Sequence, residues 1–243
     1  MLNGGPLANL FDSDGFQGDA TYIAAVSGGG DSIALLILLK AYLDGVHSGT
    51  RIIAATVDHR LRAGSTAEAE AVGALCRDLR IEHRILDWTG DKPHRGIQAA
   101  ARLARHRLLA DFAVGKGASA VLSGHTRDDQ AEAGLMRGAR GAGRGSAGVA
   151  PATLYDGRIW VMRPLLGVRR EQLREHLVAR GIGWAEDPSN SDVRFERARL
   201  RNLLRAVADS DARIDEALAM AEDAAALRVR AAHQTAGLLR HYA

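Results

Sequence analysis

The sequence predicts an α/β fold: a parallel twisted sheet of about five strands, helices on both faces, and a C-terminal helical segment. Three observations carry the prediction. Short apolar, β-branched runs alternate with longer helical patterns, the order that yields a parallel sheet with right-handed crossovers. The first such run breaks into a glycine-rich turn that opens directly into a helix. Polar residues capable of chemistry gather just after three of the strands, where open parallel sheets place their sites. The chain has 243 residues, 47% hydrophobic and 25% charged, enough for one good core with a small appendage.

Tyr22 to Val26 reads as a buried strand, and the polar, glycine-bearing stretch before it, residues 1–20, as a flexible N-terminus. Ser27-Gly28-Gly29-Gly30-Asp31-Ser32 follows, and Ile33, Leu35, Leu36 and Leu39 set up a helix. Strand, glycine turn and helix form a phosphate cradle, because backbone N–H groups and a helix N-terminus converge on one point. The glycines let the main chain approach a ligand, and Ser27 and Ser32 add hydroxyls. Asp31 alone would repel phosphate, so it points to a bridging Mg²⁺. The turn lacks the lysine of a Walker A loop and the spacing of a dinucleotide fingerprint.

Arg51 to Val57 is the second strand, ending in Asp58-His59. Ser65 to Leu79 is a helix with Ser65 as N-cap and Glu68 as its capping-box partner. Cys76, the single cysteine, sits in that helix as a small core residue. It leaves no internal disulfide and no Cys-x-x-Cys site. Ile81 to Leu86 is the third strand, Gly96 to Ala113 a long helix carrying Arg102 and Arg105, and Ala118 to Leu122 the fourth strand. The strand ends at Ser123-Gly124-His125, and a helix runs from Asp128 to Met136. Arg158 to Met162 is the fifth strand, Arg169 to Arg180 an amphipathic helix, and Gly181 to Asn190 turn-rich. Glu196 to Val207 is an Arg-rich helix, and a last helix runs from Ser210 or Asp211 to about Leu239.

Asp128 and Asp129 fall in a helix's first turn, where the dipole favours carboxylates. Capping explains one of them; two acids plus Glu132 exceed what capping requires. Asp128 and Glu132 share a helix face and could hold an ammonium group or a Mg²⁺. His125, in a loop, could donate to charge developing on phosphate. Asp58 and His59 border the same presumed site. The net charge is only +3, but residues 127–205 carry 15 Arg against 10 acids, by count along the sequence. Gly138 to Pro151, with Arg140 and Arg144, reads as a mobile basic loop that orders on nucleic acid. No apolar run approaches the roughly 20 residues of a membrane span, and no secretory signal is evident, so a cytoplasmic location is expected by default.

The chain resembles the tRNA(Ile)-lysidine synthetase family of PP-loop ATP pyrophosphatases over residues 20–205. The motifs are Ser-Gly-Gly-Gly-Asp-Ser at 27–32, Val-Asp-His-Arg-Leu-Arg at 57–62, Ala-Arg-Leu-Ala-Arg-His at 101–106 and Gly-His-Thr-Arg-Asp-Asp-Gln-Ala-Glu at 124–132. Arg-Pro-Leu-Leu at 163–166, Glu-Asp-Pro-Ser-Asn at 186–190 and the arginines from Arg197 continue them. The first motif is common to many PP-loop enzymes; the fourth, and Glu-Asp-Pro-Ser-Asn with its trailing arginines, are far more specific.

The resemblance implies a catalytic domain over 21–207 and a C-terminal helix over 208–243. It implies that ATP adenylates C2–O of the wobble cytidine of an isoleucine tRNA with a CAU anticodon, and that free L-lysine displaces AMP. Ser27, Gly28, Gly29, Gly30, Asp31, Ser32, Asp58, His59 and Gly124 would bind ATP, with Mg²⁺ on Asp31 and Asp128. Asp31, Arg105, His125, Asp128, Asp129 and Glu132 would be catalytic. Arg140, Arg144, Arg197, Arg199, Arg201 and Arg205 would contact tRNA phosphates. Three positions depart from the family pattern: His106 for tyrosine, Ala133 for threonine and Ala198 for asparagine. Many members continue into further C-terminal domains; either this is a naturally short form, which would read the anticodon stem-loop alone or pair as a homodimer, or the sequence is a piece of a longer protein. Rival readings are a thiolating PP-loop tRNA enzyme, an ammonia-using ligase, a non-catalytic nucleotide-binding module, and a nucleic-acid binder without ATP chemistry.

Overall fold

The computed structural model describes residues 10–11, 19–46, 49–138, 148–186 and 199–200, with scattered positions from 212 to 230. The chain divides into two compact units. The first comprises Met1–Thr126 with Pro151–Glu186, the second Arg127–Ala150 with Asp187–Ala243.

The first unit holds the sheet. Its strands are β1 (Thr21–Ala25), β2 (Arg51–Asp58), β3 (Glu82–Asp87), β4 (Ala120–Ser123), β5 (Ala152–Tyr155) and β6 (Ile159–Met162), in the order β3-β2-β1-β4-β6-β5. All neighbours run parallel except the β5–β6 pair. Helices α1 (Gly30–Val46), α2 (Ser65–Asp78) and α3 (Ile97–Gly115) make the crossovers. In the second unit lies α4 (Arg127–Gly138), and the first closes with α5 (Arg170–Val178).

The strands are short, apolar and covered on both faces, as parallel strands must be. Side chains of β1 alternate between two cores. Tyr22, Ala24 and Val26 face one with Leu35, Leu36 and Leu39 of α1, Val72 and Cys76 of α2, and Leu173 and Leu177 of α5. Ile23 faces the other with Ile53, Val121 and Val161 of the sheet and Leu109, Ala110 and Ala113 of α3. Leu173 is fully buried. Leu173→Ala is expected to lower the unfolding free energy by about 2–5 kcal/mol, measured by denaturant titration, because the cavity cannot collapse against a rigid helix layer.

Six strands stand where about five are expected. The additional strand is β5, an exposed edge strand antiparallel to β6. Asp156 and Gly157 both take positive φ, 52° and 65°, which reverses the chain tightly between them. The Asp-Gly pair was the available signal; β5 shows almost no burial pattern to accompany it. A second correction concerns α2. Its N-cap is Gly64 in the left-handed region, φ 94°, with no side-chain cap. Ser65 instead donates to Asp58 Oδ1 at 2.7 Å, and Glu68 pairs with Arg62 at 2.6 Å. The expected Ser65–Glu68 capping box therefore does not form, because both side chains serve the preceding loop.

Of the expected N-terminal flexible stretch, residues 1–9 and 12–18 lie outside the described residues. Phe11 is fully buried, its ring 5.4 Å from that of Tyr42. Arg199 is helical and exposed, and the described positions between 212 and 230 are helical. No helix among the described residues is long and apolar enough to cross a membrane.

Candidate functional site

Order β3-β2-β1-β4 means the connections from β1 run one way to β2 and then return across β1 to β4. The switch point lies between β1 and β4, and the crevice beyond their carboxyl ends is where ligands of such sheets bind. The glycine turn leaves β1 there, and Gly124 leaves β4 there.

The turn is stitched from within. Ser32 Oγ donates to Gly29 O at 2.8 Å and accepts from Ser27 N at 3.1 Å. Ser32 has one hydroxyl proton, so in the 3.2 Å contact between the two hydroxyls Ser27 is the donor. Ile33 N closes the first helical bond to Gly29 O at 3.0 Å. Gly29 is thus the cap, and the N–H groups that a helix start leaves without intrahelical partners belong to the glycine turn. Gly28 sits at φ 89°, a conformation strained for any residue with a Cβ. A Cβ on Gly124 would lie 2.8 Å from Asp31 O and 2.9 Å from Asp31 C. Only glycine lets the β4 loop approach the start of α1 so closely.

Two elements that sequence reasoning missed complete this wall. Trp184 lies against Gly30, whose Cβ would meet the indole at 3.4 Å, and Ala185 N donates to Gly28 O at 2.9 Å. Arg170 Nε donates to Asp31 Oδ2 at 2.9 Å. Both partners lie about 140 residues or more along the chain, and no local pattern marks them.

At the end of β2, Asp58 is buried and accepts from Arg60 N at 2.8 Å, Ser65 Oγ at 2.7 Å and Thr66 Oγ1 at 2.7 Å. Burial alone would raise its pKa, but the hydrogen bonds from Thr66, Ser65 and Arg60 outweigh it and hold the carboxyl below its ordinary value. Asp58 therefore organises the loop whose next residue, His59, stands edge-on to Trp88 at 5.7 Å. Burial first, then the charge of Arg105, keeps His59 below its ordinary pKa.

His106 stacks on Tyr155 at 5.7 Å and 22°, tying α3 to β5. Burial, then Arg105, Arg102 and Arg163, pushes its pKa down to about 4. The sign follows from linkage: the folded state favours the neutral ring, so this contribution is complete above the ordinary value of 6.5 and is lost as pH falls through about 4. Between pH 6.5 and 4, wild type is expected to lose more Tm than His106→Tyr, as thermal melts across that range will read. The charges of Arg102, Arg105 and Arg163 all reach His106, and Arg163 is buried, donating to Thr153 Oγ1 at 3.0 Å. His125 Nδ1 contacts Ser123 Oγ at 3.0 Å.

In the second unit, Asp128 and Asp129 occupy the first turn of α4, and Asp129 and Glu132 are buried. Gln130 Nε2 donates to Val149 O at 2.7 Å and its Oε1 accepts from Val149 N. The glutamine of that motif thus tethers the chain at Val149. Arg127 pairs with Asp215 at 2.7 Å. Arg140, Arg144, Arg197, Arg201 and Arg205 lie outside the described residues.

A glycine turn at a helix N-terminus, placed at the switch point of a parallel sheet, gives an α/β protein the layout of a phosphate-binding fold. The chain belongs to the PP-loop domain family, which it matches over residues 6–207. It is 50% identical over 227 residues to a tRNA(Ile)-lysidine synthase from Mesorhizobium japonicum, covering 91% of this chain and 50% of that protein. A second tRNA(Ile)-lysidine synthase, from Brucella anthropi, is 46% identical over 218 residues, 86% of this chain and 48% of that one. The chain spans about half the length of the curated relatives it matches. Among solved structures, a U34-tRNA thiolase, NcsA from Methanococcus maripaludis, shares the fold with TM-score 0.74 at 16% identity, over 89% of this chain and 76% of that one.

Proposed function

We propose that the chain carries the catalytic part of a tRNA(Ile)-lysidine synthetase. ATP would activate C2–O of the wobble cytidine in an isoleucine tRNA with a CAU anticodon, and free L-lysine would displace AMP, in the cytoplasm. The observation that carries the reading is the Ser27–Ser32 turn at the sheet's switch point, in a chain half identical to enzymes of that name over most of its length.

The residues present fit a nucleotide triphosphate. Gly28, Gly29 and Gly30 present backbone without side chains at a helix N-terminus, which favours anions, and Ser27 and Ser32 hold that shape. Asp58 shapes the loop that places His59, and Gly124 lets the β4 loop close on the turn. Among the described residues no three His, Cys, Asp or Glu side chains form a self-contained metal site. Mg²⁺ suits such a place, since it takes one or two carboxylates and completes its shell with phosphate and water. Asp31 would hold it, with Asp128 the second carboxylate; the ion would neutralise charge on the phosphates. Arg105 and His125 would stabilise charge developing at the reacting phosphate. Asp128, Asp129 and Glu132 would orient the lysine ammonium. Arg140, Arg144, Arg197, Arg199, Arg201 and Arg205 would set tRNA affinity and position through phosphates, and a homodimer would widen that footprint.

The thiolase alternative requires a reactive sulfur. Cys76 is fully buried and burial raises its pKa to about 11, so its thiolate is scarce at neutral pH. The deciding experiment supplies the protein with ATP, labelled lysine and isoleucine tRNA bearing CAU. Label in the RNA, dependent on ATP, is the expected result. RNA that stays unlabelled while ATP is still cleaved to AMP and pyrophosphate would overturn the lysine assignment.

A further inference from the structure

The motifs leave α5 without a chemical role, yet α5 reaches the phosphate turn. Arg170, its first residue, donates from Nε to Asp31 Oδ2 at 2.9 Å, and the two side chains are only 14% and 25% exposed. One turn later Arg174 lies over the Trp184 ring, 5.9 Å from its centroid, and pairs with Glu186 at 3.0 Å. Trp184 and Ala185 in turn contact Gly30 and Gly28. The inner face of α5 is fixed by Leu173 and Leu177, both fully buried. Arg170 therefore stands on a rigid base, at a set distance from the one carboxylate of the turn.

A carboxylate in a first helical turn has several rotamers, and only a subset aims it at a ligand seated on the turn. A guanidinium is a planar fork that fixes a carboxylate's orientation as well as attracting it. We propose that Arg170 is a positioning residue of the nucleotide site, holding the Asp31 carboxylate in the orientation from which it takes Mg²⁺ with ATP. This rests on the reading that the Ser27–Ser32 turn binds ATP with Asp31 on Mg²⁺. Arg170 acts through Asp31, so its effect on binding depends on that carboxylate being present.

The test is a double-mutant cycle on ATP affinity, measured by calorimetry in Mg²⁺ on the whole chain, with thermal melts as a folding control. Arg170→Ala is expected to weaken Mg²⁺–ATP binding about tenfold in the wild-type background and less than about twofold in the Asp31→Asn background. Arg170→Lys keeps the charge without the fork and is expected to lose about threefold; it serves the same cycle if the alanine variant does not fold. Equal losses in both backgrounds, or no loss in wild type, would overturn the proposal. Asp31→Asn alone separates the two claims. If it leaves the Mg²⁺ dependence of ATP binding intact, the metal reading itself fails. If it removes that dependence while Arg170→Ala has no effect, only the positioning role fails.

Discussion

Gly124→Ala is expected to cost the fold about 1–3 kcal/mol and ATP affinity at least about tenfold. The added Cβ would stand 2.8 Å from Asp31 O, 2.9 Å from Asp31 C and 3.1 Å from Ser32 Cα. All three are backbone atoms, so no side-chain rotation relieves the contact. Either the loop after β4 moves away or the first turn of α1 gives, and the glycine turn changes shape in both cases. Gly45→Ala provides the contrast. Gly45 lies in α1 with nothing within 4 Å of its Cβ position, so alanine there is expected to be neutral or to stabilise by up to about 1 kcal/mol. Thermal melts and ATP calorimetry on the two variants check both statements. A Gly124→Ala protein with wild-type melting and affinity would mean that the close approach of β4 to α1 does not shape the site.

Asp31→Ala is expected to lower ATP–pyrophosphate exchange by at least about a hundredfold, the scale of losing one preorganised electrostatic contact at the reacting charge. Its removal also leaves the Arg170 guanidinium, 14% exposed, without this carboxylate, so a drop in melting temperature is expected beside the activity loss and is read separately by thermal melts. Asp31→Glu separates charge from reach. It keeps the carboxylate but displaces it by one methylene, and should recover only a small part of the exchange rate. Normal turnover in Asp31→Ala would show that the metal role assigned to this residue is wrong.

Much of the architecture was legible because parallel strands announce themselves. Tyr22 to Val26, Arg51 to Val57 and Ala118 to Leu122 are short, largely apolar runs followed by turn residues, and burial of the strands on both faces demands that composition. The glycine turn was legible because its constraints are local: glycine where a Cβ would intrude, and a helix that starts directly behind it. β5 escaped because an exposed edge strand needs no hydrophobic alternation, and only Asp156-Gly157 signalled the reversal. The N-terminus of α2 differs from its sequence pattern for a related reason. A serine before a helical pattern fits a cap, but here Asp58 competes for its hydroxyl from the preceding strand end. Arg170, Trp184 and Ala185 could not be read from spacing at all. Their partnership with the turn exists only once α5 packs on α1, and contacts over such separations have no local signature. His106 illustrates the same limit. The sequence marks a departure from the family's tyrosine, whereas its stacking on Tyr155 and its low pKa depend on burial and on Tyr155 of β5 and Arg163 just after β6, as well as on the arginines of its own helix.

All of the proposed chemistry depends on the turn from Ser27 to Ser32 receiving the phosphates of ATP. A crystal structure of the protein with Mg²⁺ and a non-hydrolysable ATP analogue tests it most directly. Phosphate oxygens are expected within hydrogen-bond reach of the Gly28–Asp31 amides, with the metal on Asp31. Phosphates bound elsewhere, with that turn left empty, would contradict it.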